Sequence, residues 1–337
     1  PGSTFKIVSS LGLELAARGD PRLDALLDGM PLADINAYAA SRGWDFRTEA
    51  PTYPEHGRAR ITNFRDQGLD RHAKDGRLGL AQALTYSLNT WFAWTGELSD
   101  RSLFGRPEGG APDLQPLAGD SLDAVRPIVA MARRLGFGQA LRLDGGLLPA
   151  DYPWSTWDAL QTTPAGIDPV HTRHELRQMA IGLRMQATPL QMALAAGAVG
   201  QGRIIHPRLL LALDGHPAAA GAGQGEALGV RLDRIRAGMK GVVDIGTAAG
   251  AFRAPALAGV RRGLSGKTGT APVGDGRLAT VWFTGFLEPG SLPNQHHRLA
   301  LAVFVSHSEA TGGEHAAPVA AAVLGSEAAA RLELIDR

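Results

Sequence analysis

Three stretches of this chain are patterned too regularly to be loop. In the first, Phe5, Ile7, Val8, Leu11, Leu13, Leu15 and Ala16 leave almost no polar face, which predicts a helix buried on all sides. In the second, Leu78, Leu80, Ala81, Ala83 and Leu84 recur at helical spacing, stop at Tyr86-Ser87-Leu88-Asn89-Thr90 and resume at Trp91-Phe92, so a helix junction falls at Ser87 to Asn89. In the third the period changes. Gly263 to Thr270, a turn at Gly274-Asp275-Gly276, Ala279 to Leu287, and Leu299 to Val305 read as three strands on short connections, hence antiparallel neighbours.

The pattern elsewhere is weaker. Residues 20–76 mix short helical patterns with a loop, Glu49-Ala50-Pro51-Thr52-Tyr53-Pro54-Glu55-His56-Gly57, and read as surface elaboration. Residues 99–125, rich in glycine and proline, predict loop, and a helix follows over 125–135. Residues 144–170, with several prolines and two tryptophans, predict a packed irregular segment beside a groove. Thr188-Pro189-Leu190-Gln191 reads as a capping box with proline at the first helical position, opening a helix through Ala198. Further helices are expected over 230–245 and from Pro318 to Leu334, the last covering one face of the sheet. The fold class is α+β, with a mainly helical lobe at 1–225 and an antiparallel sheet with packing helices at 226–337.

Composition narrows the function. A chain of 337 residues with 44% hydrophobic content can bury a large core. A formal charge of +1 with no basic run argues against a nucleic-acid partner. The absence of cysteine excludes disulfides and thiolate metal sites. Of the 34 basic residues only Lys6, Lys74, Lys240 and Lys267 are lysine. A lysine kept against such a bias suits work arginine cannot do, namely shedding a proton or acting as a compact point charge.

Two of these lysines sit in candidate motifs. Ser3 and Lys6, three residues apart on a helix, lie about 5–6 Å apart at Cβ. A serine hydroxyl needs a base to become a nucleophile, and lysine is one only after losing its proton, which from an ordinary pKa costs about 4–5 kcal/mol at pH 7. Burial and a second cation would lower that cost. The backbone N–H groups at a helix start would stabilise an oxyanion. Taken alone, the pair fits a buried helix with a serine near its cap equally well, and Ser87 and Asn89 fit plain capping. His171-x-x-His174-Glu175 has neither zinc-protease spacing and no third ligand, so no metal is expected. His296-His297 reads as a hairpin tip, and Gly221-Ala222-Gly223-Gln224-Gly225 as a flexible loop.

Ser-x-x-Lys at Ser3, Ser-x-Asn at Ser87, and Lys-Thr-Gly at Lys267, in that order, resemble the triplet of penicillin-interacting serine enzymes. With Thr280 to Phe286 and Thr188 to Gly202, the likeness to a penicillin-binding protein transpeptidase domain covers nearly the whole chain. It implies a β-lactamase/transpeptidase-like fold and a serine D,D-transpeptidase that cross-links peptidoglycan stem peptides and is acylated by β-lactam antibiotics. On this resemblance Ser3 attacks the D-Ala-D-Ala carbonyl, Lys6 is its base, Ser87 passes a proton to the leaving amine, and Asn89 holds Lys6 and the substrate amide. Lys267 raises the local potential, Thr268 and Thr270 bind the terminal carboxylate, and the backbone N–H groups of Ser3 and Thr270 form the oxyanion hole. Gly269 lets substrate backbone lie along the strand. The resemblance implies no cofactor and no metal. Beyond stem peptides and β-lactams, it implies cell-wall synthesis or division proteins as partners, and a place on the outer face of the cytoplasmic membrane.

Two departures qualify this. A Glu-x-x-x-Asn stretch that would activate water is missing, since Glu175 is followed four residues on by Met179. Transfer to an amine is therefore expected over hydrolysis by a D,D-carboxypeptidase or β-lactamase; a non-catalytic β-lactam sensor or scaffold is the third reading. The family also builds two of its five strands before the nucleophile helix, where this chain starts. A longer parent protein, carrying those strands and an anchor, is expected.

Overall fold

The computed structural model describes residues 1–53, 60–103, 112, 114, 116–149, 151–152, 160–217 and 224–332. Pro54 to Gly57 of the expected loop, residues 104–111, 113 and 115, the two tryptophans at 154 and 157, Gly221 to Gly223, and residues 333–334 of the expected last helix lie outside them.

The first helix, Lys6–Ala17, is entered through a single 3-10 turn, Gly2–Phe5. Phe5, Ile7, Val8, Leu11 and Leu13 are fully buried, and the polar residues between them are buried too, so each needs a partner. Ser9 Oγ donates to Ala180 O at 2.8 Å and Ser10 Oγ to Lys6 O at 2.6 Å. Glu14 accepts two bonds from the Arg234 guanidinium, at 2.7 and 2.5 Å, which pins this helix to the helix Asp233–Asp244. Breaking a pair at that depth by removing one member costs about 3–5 kcal/mol.

The second apolar run divides as its pattern predicts, into helices Leu80–Thr85 and Asn89–Ser99. Every residue of the latter from Thr90 to Ser99 is buried, with Trp91, Phe92 and Trp94 against the first helix's core. The third gives one antiparallel sheet in the order Leu264–Val273, Leu278–Leu287, Leu299–Ser308. Alternation along the middle strand sends Trp282 and Phe286 into the larger core, shared with the first helix, and Val281, Phe283 and Leu287 into a second core under the helix Ala316–Leu324. Lys267 pairs with Thr284 and Thr268 with Phe283, so the lysine faces the larger core while Thr268 and Thr270 face the other side. Leu264–Val273 is an edge strand of this sheet.

Several expectations change. The predicted loop 99–125 contains a helix, Gly119–Val125, whose Leu122 is buried; its pattern is short and lies beside glycine and proline, which hid it. The last helix is two, Ala316–Leu324 and Glu327–Ala330, because Gly325 ends the first and the Ser326 side chain caps the second. Gln224-Gly225 begin a strand, Gln224–Ala227, paired with Arg203–Ile205. The helix opened by Thr188 runs on to Gln201, and its capping box is half closed: Thr188 accepts from Gln191 N, but the Gln191 side chain donates to Leu135 O at 2.5 Å. Residues 20–76 are more than elaboration. Leu23, Leu26, Ile35 and Tyr38 enter the main core, and residues 62–65 reach the cleft described next.

No helix among the described residues is long and apolar enough to cross a membrane. Glu175, from the His-rich motif, closes a capping box: its carboxylate accepts from Thr172 N and His171 N while Thr172 Oγ1 accepts from Glu175 N.

Candidate active site

Gly2 makes the entry turn possible. It has φ +55°, and a Cβ there would come within 2.8 Å of Thr270's carbonyl carbon. The turn therefore lies directly on the Lys-Thr-Gly strand. Gly269 serves the same contact: its Cβ would meet Pro1 O at 2.4 Å. The glycine of Lys-Thr-Gly thus makes room for the chain's own serine turn.

Ser87 stands in the left-handed region at φ +58°, so the Ser-x-Asn segment at the helix junction is a turn. Ser87 and Asn89 still converge, because the turn folds both onto Lys6. Lys6 Nζ lies 2.8 Å from Ser87 O, 3.2 Å from Ser87 Oγ and 2.6 Å from Asn89 Oδ1. It is fully buried and 5.4 Å from the Phe92 ring centroid. Burial, and then repulsion from Lys267, hold its pKa well below the ordinary lysine value. Nζ donates to all three of these oxygens, which anchors the amine against Ser87 and Asn89.

Lys267 is fully buried as well, donating to Thr268 O at 3.0 Å, and burial lowers its pKa to about 7. The two lysines oppose each other's charge. Ser3, by contrast, is part-exposed, and its hydroxyl makes no hydrogen bond among the described residues. It lines a cavity of about 430 Å³ with Ser87, Asn89, Thr268, Gly269 and Thr270, so the three motifs meet on one wall-to-wall surface with both lysines behind it.

The remaining walls were not singled out in the sequence. Asn89 Nδ2 donates to Thr62 O at 2.8 Å, which fixes the amide so that its oxygen faces Lys6. Asn63 holds that segment in place, accepting from Thr90 N at 3.0 Å and donating to Thr90 Oγ1 at 2.9 Å. Thr247 Oγ1 lies 2.6 Å from Thr268 Oγ1, and Thr270 Oγ1 accepts from Gly312 N at 3.1 Å, leaving the Thr270 proton free for a ligand. Phe64, Arg65, Thr311 and Glu314 complete the rim. No short-range signal marks these positions; they come from a two-residue strand, a 3-10 turn and loops that the fold brings together.

The family described as the penicillin binding protein transpeptidase domain matches residues 48–325. Ser3 and Lys6 precede that span. Penicillin-binding protein A from M. tuberculosis, solved as a ceftriaxone acyl-enzyme complex, is 21% identical with a TM-score of 0.62, over 96% of this chain and 59% of that one. Pseudomonas aeruginosa PBP2 in complex with WCK 5153 gives 23% and 0.57, over 95% and 59%. The D,D-transpeptidase domain of a peptidoglycan glycosyltransferase from Eggerthella lenta gives 22% and 0.57, over 96% and 64%. The chain therefore spans about three-fifths of these structures, and at such identities the likeness is one of fold. No curated protein matches the chain. With most of its length matched by the family and the serine, lysine and threonine motifs gathered at one cavity, the chain belongs to the penicillin-binding protein transpeptidase domain family.

Proposed function

We propose that this chain is a serine D,D-transpeptidase acting on peptidoglycan stem peptides outside the cytoplasm, with its 1–225 and 226–337 lobes as the two sides of the active cleft. The observation that carries this is Lys6: a buried amine held by Ser87 and Asn89, the two residues that line one cavity with Ser3. Ser3 Oγ adds to the penultimate D-alanine carbonyl as its proton passes to Lys6. The N–H groups of Ser3 and Thr270 receive the oxyanion. The C–N bond then breaks, and a proton relayed from Lys6 through Ser87 leaves with the terminal D-alanine. An acceptor amine repeats the sequence in reverse and frees Ser3. Transfer is favoured over hydrolysis because Glu175, the acid nearest the missing water-activating motif in sequence, spends its carboxylate on a helix cap. β-Lactams fit as strained amides carrying a carboxylate in the same relation.

The carboxylate end rests on Thr268, Thr270 and Lys267, and Thr247 orients the first of these. Thr247→Val is expected to weaken substrate capture about two- to tenfold through KM with little change in kcat, because one neutral hydrogen bond is lost. Thr247→Ser should restore it.

The function itself is tested by incubating the protein with benzylpenicillin and following intact mass. A lasting one-to-one adduct that maps to the peptide holding Ser3, and that is discharged onto an added D-amino acid, is the expected result. Rapid loss of the adduct to water would make it a β-lactamase, and no adduct at all would make it a scaffold.

A further inference from the structure

A further cavity, about 630 Å³ in volume, shares a wall with the active cleft. Asp244, Phe252 and Arg253 line it, while Thr247 and Gly250, which lie between them in the chain, line the cleft. Its other charged residues are Lys240, from the helix Asp233–Asp244, and Arg261 and Arg262, from the helix Ala258–Gly263. Four cations thus surround the single carboxylate of Asp244, and that carboxylate is already engaged. Lys240 Nζ donates to Asp244 Oδ1 at 2.5 Å and to Arg261 O at 2.9 Å, and Arg261 Nη2 donates to Asp244 O at 3.0 Å. Among the described residues the guanidinium groups of Arg253 and Arg262 form no ion pair and no hydrogen bond. Lys240 keeps a third proton to give.

Cations gathered in one concavity make a field that draws in an anion. Two open guanidinium forks suit phosphate in particular, because each spans two oxygens of a tetrahedral group, and Lys240, one of the few lysines of this chain, adds a compact point charge. Phe252 is fully buried, so no ring is offered to a nucleobase and the phosphate itself is what is recognised. We propose that this cavity is an effector site for a phosphate-bearing ligand, held by Arg253, Arg262 and Lys240, whose occupancy reaches the cleft through Thr247. The ligand competes with Asp244 for Lys240. Asp244 ends its helix, and the turn after it places Thr247 Oγ1 2.6 Å from Thr268 Oγ1, so loosening the turn loosens the hold on Thr268. The binding site is independent of the acyl-transfer reading; its effect on the cleft rests on that reading.

The test is calorimetric titration with inorganic pyrophosphate at fixed ionic strength, in the wild type, Arg253→Gln, Arg262→Gln and Arg208→Gln, the last an exposed arginine that lines neither cavity. The wild type should bind one pyrophosphate, and the first two variants should each bind it about tenfold more weakly, the worth of one hydrogen bond to a charged group. Arg208→Gln should match the wild type, and citrate, of similar charge but with planar carboxylates, should bind far less well. No saturable binding, an equal loss in Arg208→Gln, or citrate bound as tightly as pyrophosphate overturns the site. Sedimentation with phosphatidylglycerol–phosphatidylcholine vesicles names the source: binding that both variants lose assigns a lipid headgroup, and pyrophosphate binding without sedimentation assigns a soluble ligand. Saturating pyrophosphate should also raise the benzylpenicillin concentration for half-maximal acylation about two- to tenfold in the wild type and not in Arg262→Gln, the scale of the lost Thr247 bond. No rise in the wild type overturns the link to the cleft. If benzylpenicillin acylates nothing even without pyrophosphate, the proposed function fails, and the titrations still decide the site.

Discussion

A chain carrying Lys6→Met will be acylated by benzylpenicillin about 10²–10⁴ times more slowly than the wild type, the usual worth of a positioned general base. Methionine nearly matches the lysine stem in shape, which matters at a position with no exposed surface. What it removes is the lone pair that accepts the Ser3 proton, together with the donor to Ser87 O and Asn89 Oδ1. The pH profile separates this from a packing defect. In the wild type the rate falls toward acid as Lys6 takes up a proton, and that limb lies far below ordinary lysine titration because burial and Lys267 both disfavour the ammonium. In Lys6→Met the residual rate has no such limb. Stopped-flow acylation from pH 5 to 9, with circular dichroism to confirm folding, measures both. A variant within tenfold of wild type that kept the acid limb would mean some other group takes the proton.

How much of this was legible in the sequence depends on the range of the interaction. The first helix, the junction at Ser87 and the three strands follow from local apolar periodicity, and each lies where the pattern puts it. The side chains at their ends are read from motif spacing, and Ser3, Ser87, Asn89, Thr268 and Thr270 share one cavity. The conformations beneath were not legible. Ser87 reaches Lys6 through a left-handed turn, which the tripeptide does not announce, and Gly269 answers to Pro1 and Thr4, residues more than 260 positions away. The same holds for the walls. Thr62 orients Asn89 through a backbone carbonyl, a group every residue has, so composition cannot single it out. Thr247 is one threonine among many until the turn that follows the helix Asp233–Asp244 brings it to the Lys-Thr-Gly strand.

Lys267→Met, finally, should make the protein more stable and less active at once. Lys267 has no exposed surface and donates to one backbone carbonyl, and burial brings its pKa from 10.5 to about 7. The sign follows from proton counts. Below pH 7 the folded and unfolded chains both hold the proton, and the cost of burying the charge is fully present. Between 7 and 10.5 the unfolded chain holds it and the folded protein does not, so stability climbs with pH. The full cost, at about 1.4 kcal/mol per pH unit, is on the order of 3–5 kcal/mol. Lys267→Met should recover most of that near pH 7 and flatten the climb, read from urea unfolding between pH 7 and 9.5, below the range where tyrosines titrate in the unfolded chain. Lys6 contributes a climb of the same sign, so some slope will remain. Acylation by a carboxylate-bearing β-lactam should meanwhile slow about 10- to 100-fold, the worth of one hydrogen bond to a charged group. A variant no more stable than the wild type would show that Lys267 keeps an ordinary pKa in the empty cleft, with its charge already paired there. The cost is tolerable because the cation is needed only when a carboxylate arrives: the substrate's charge then offsets the burial, raises the lysine's pKa and draws a proton to it, so the site is least stable empty and most stable when filled.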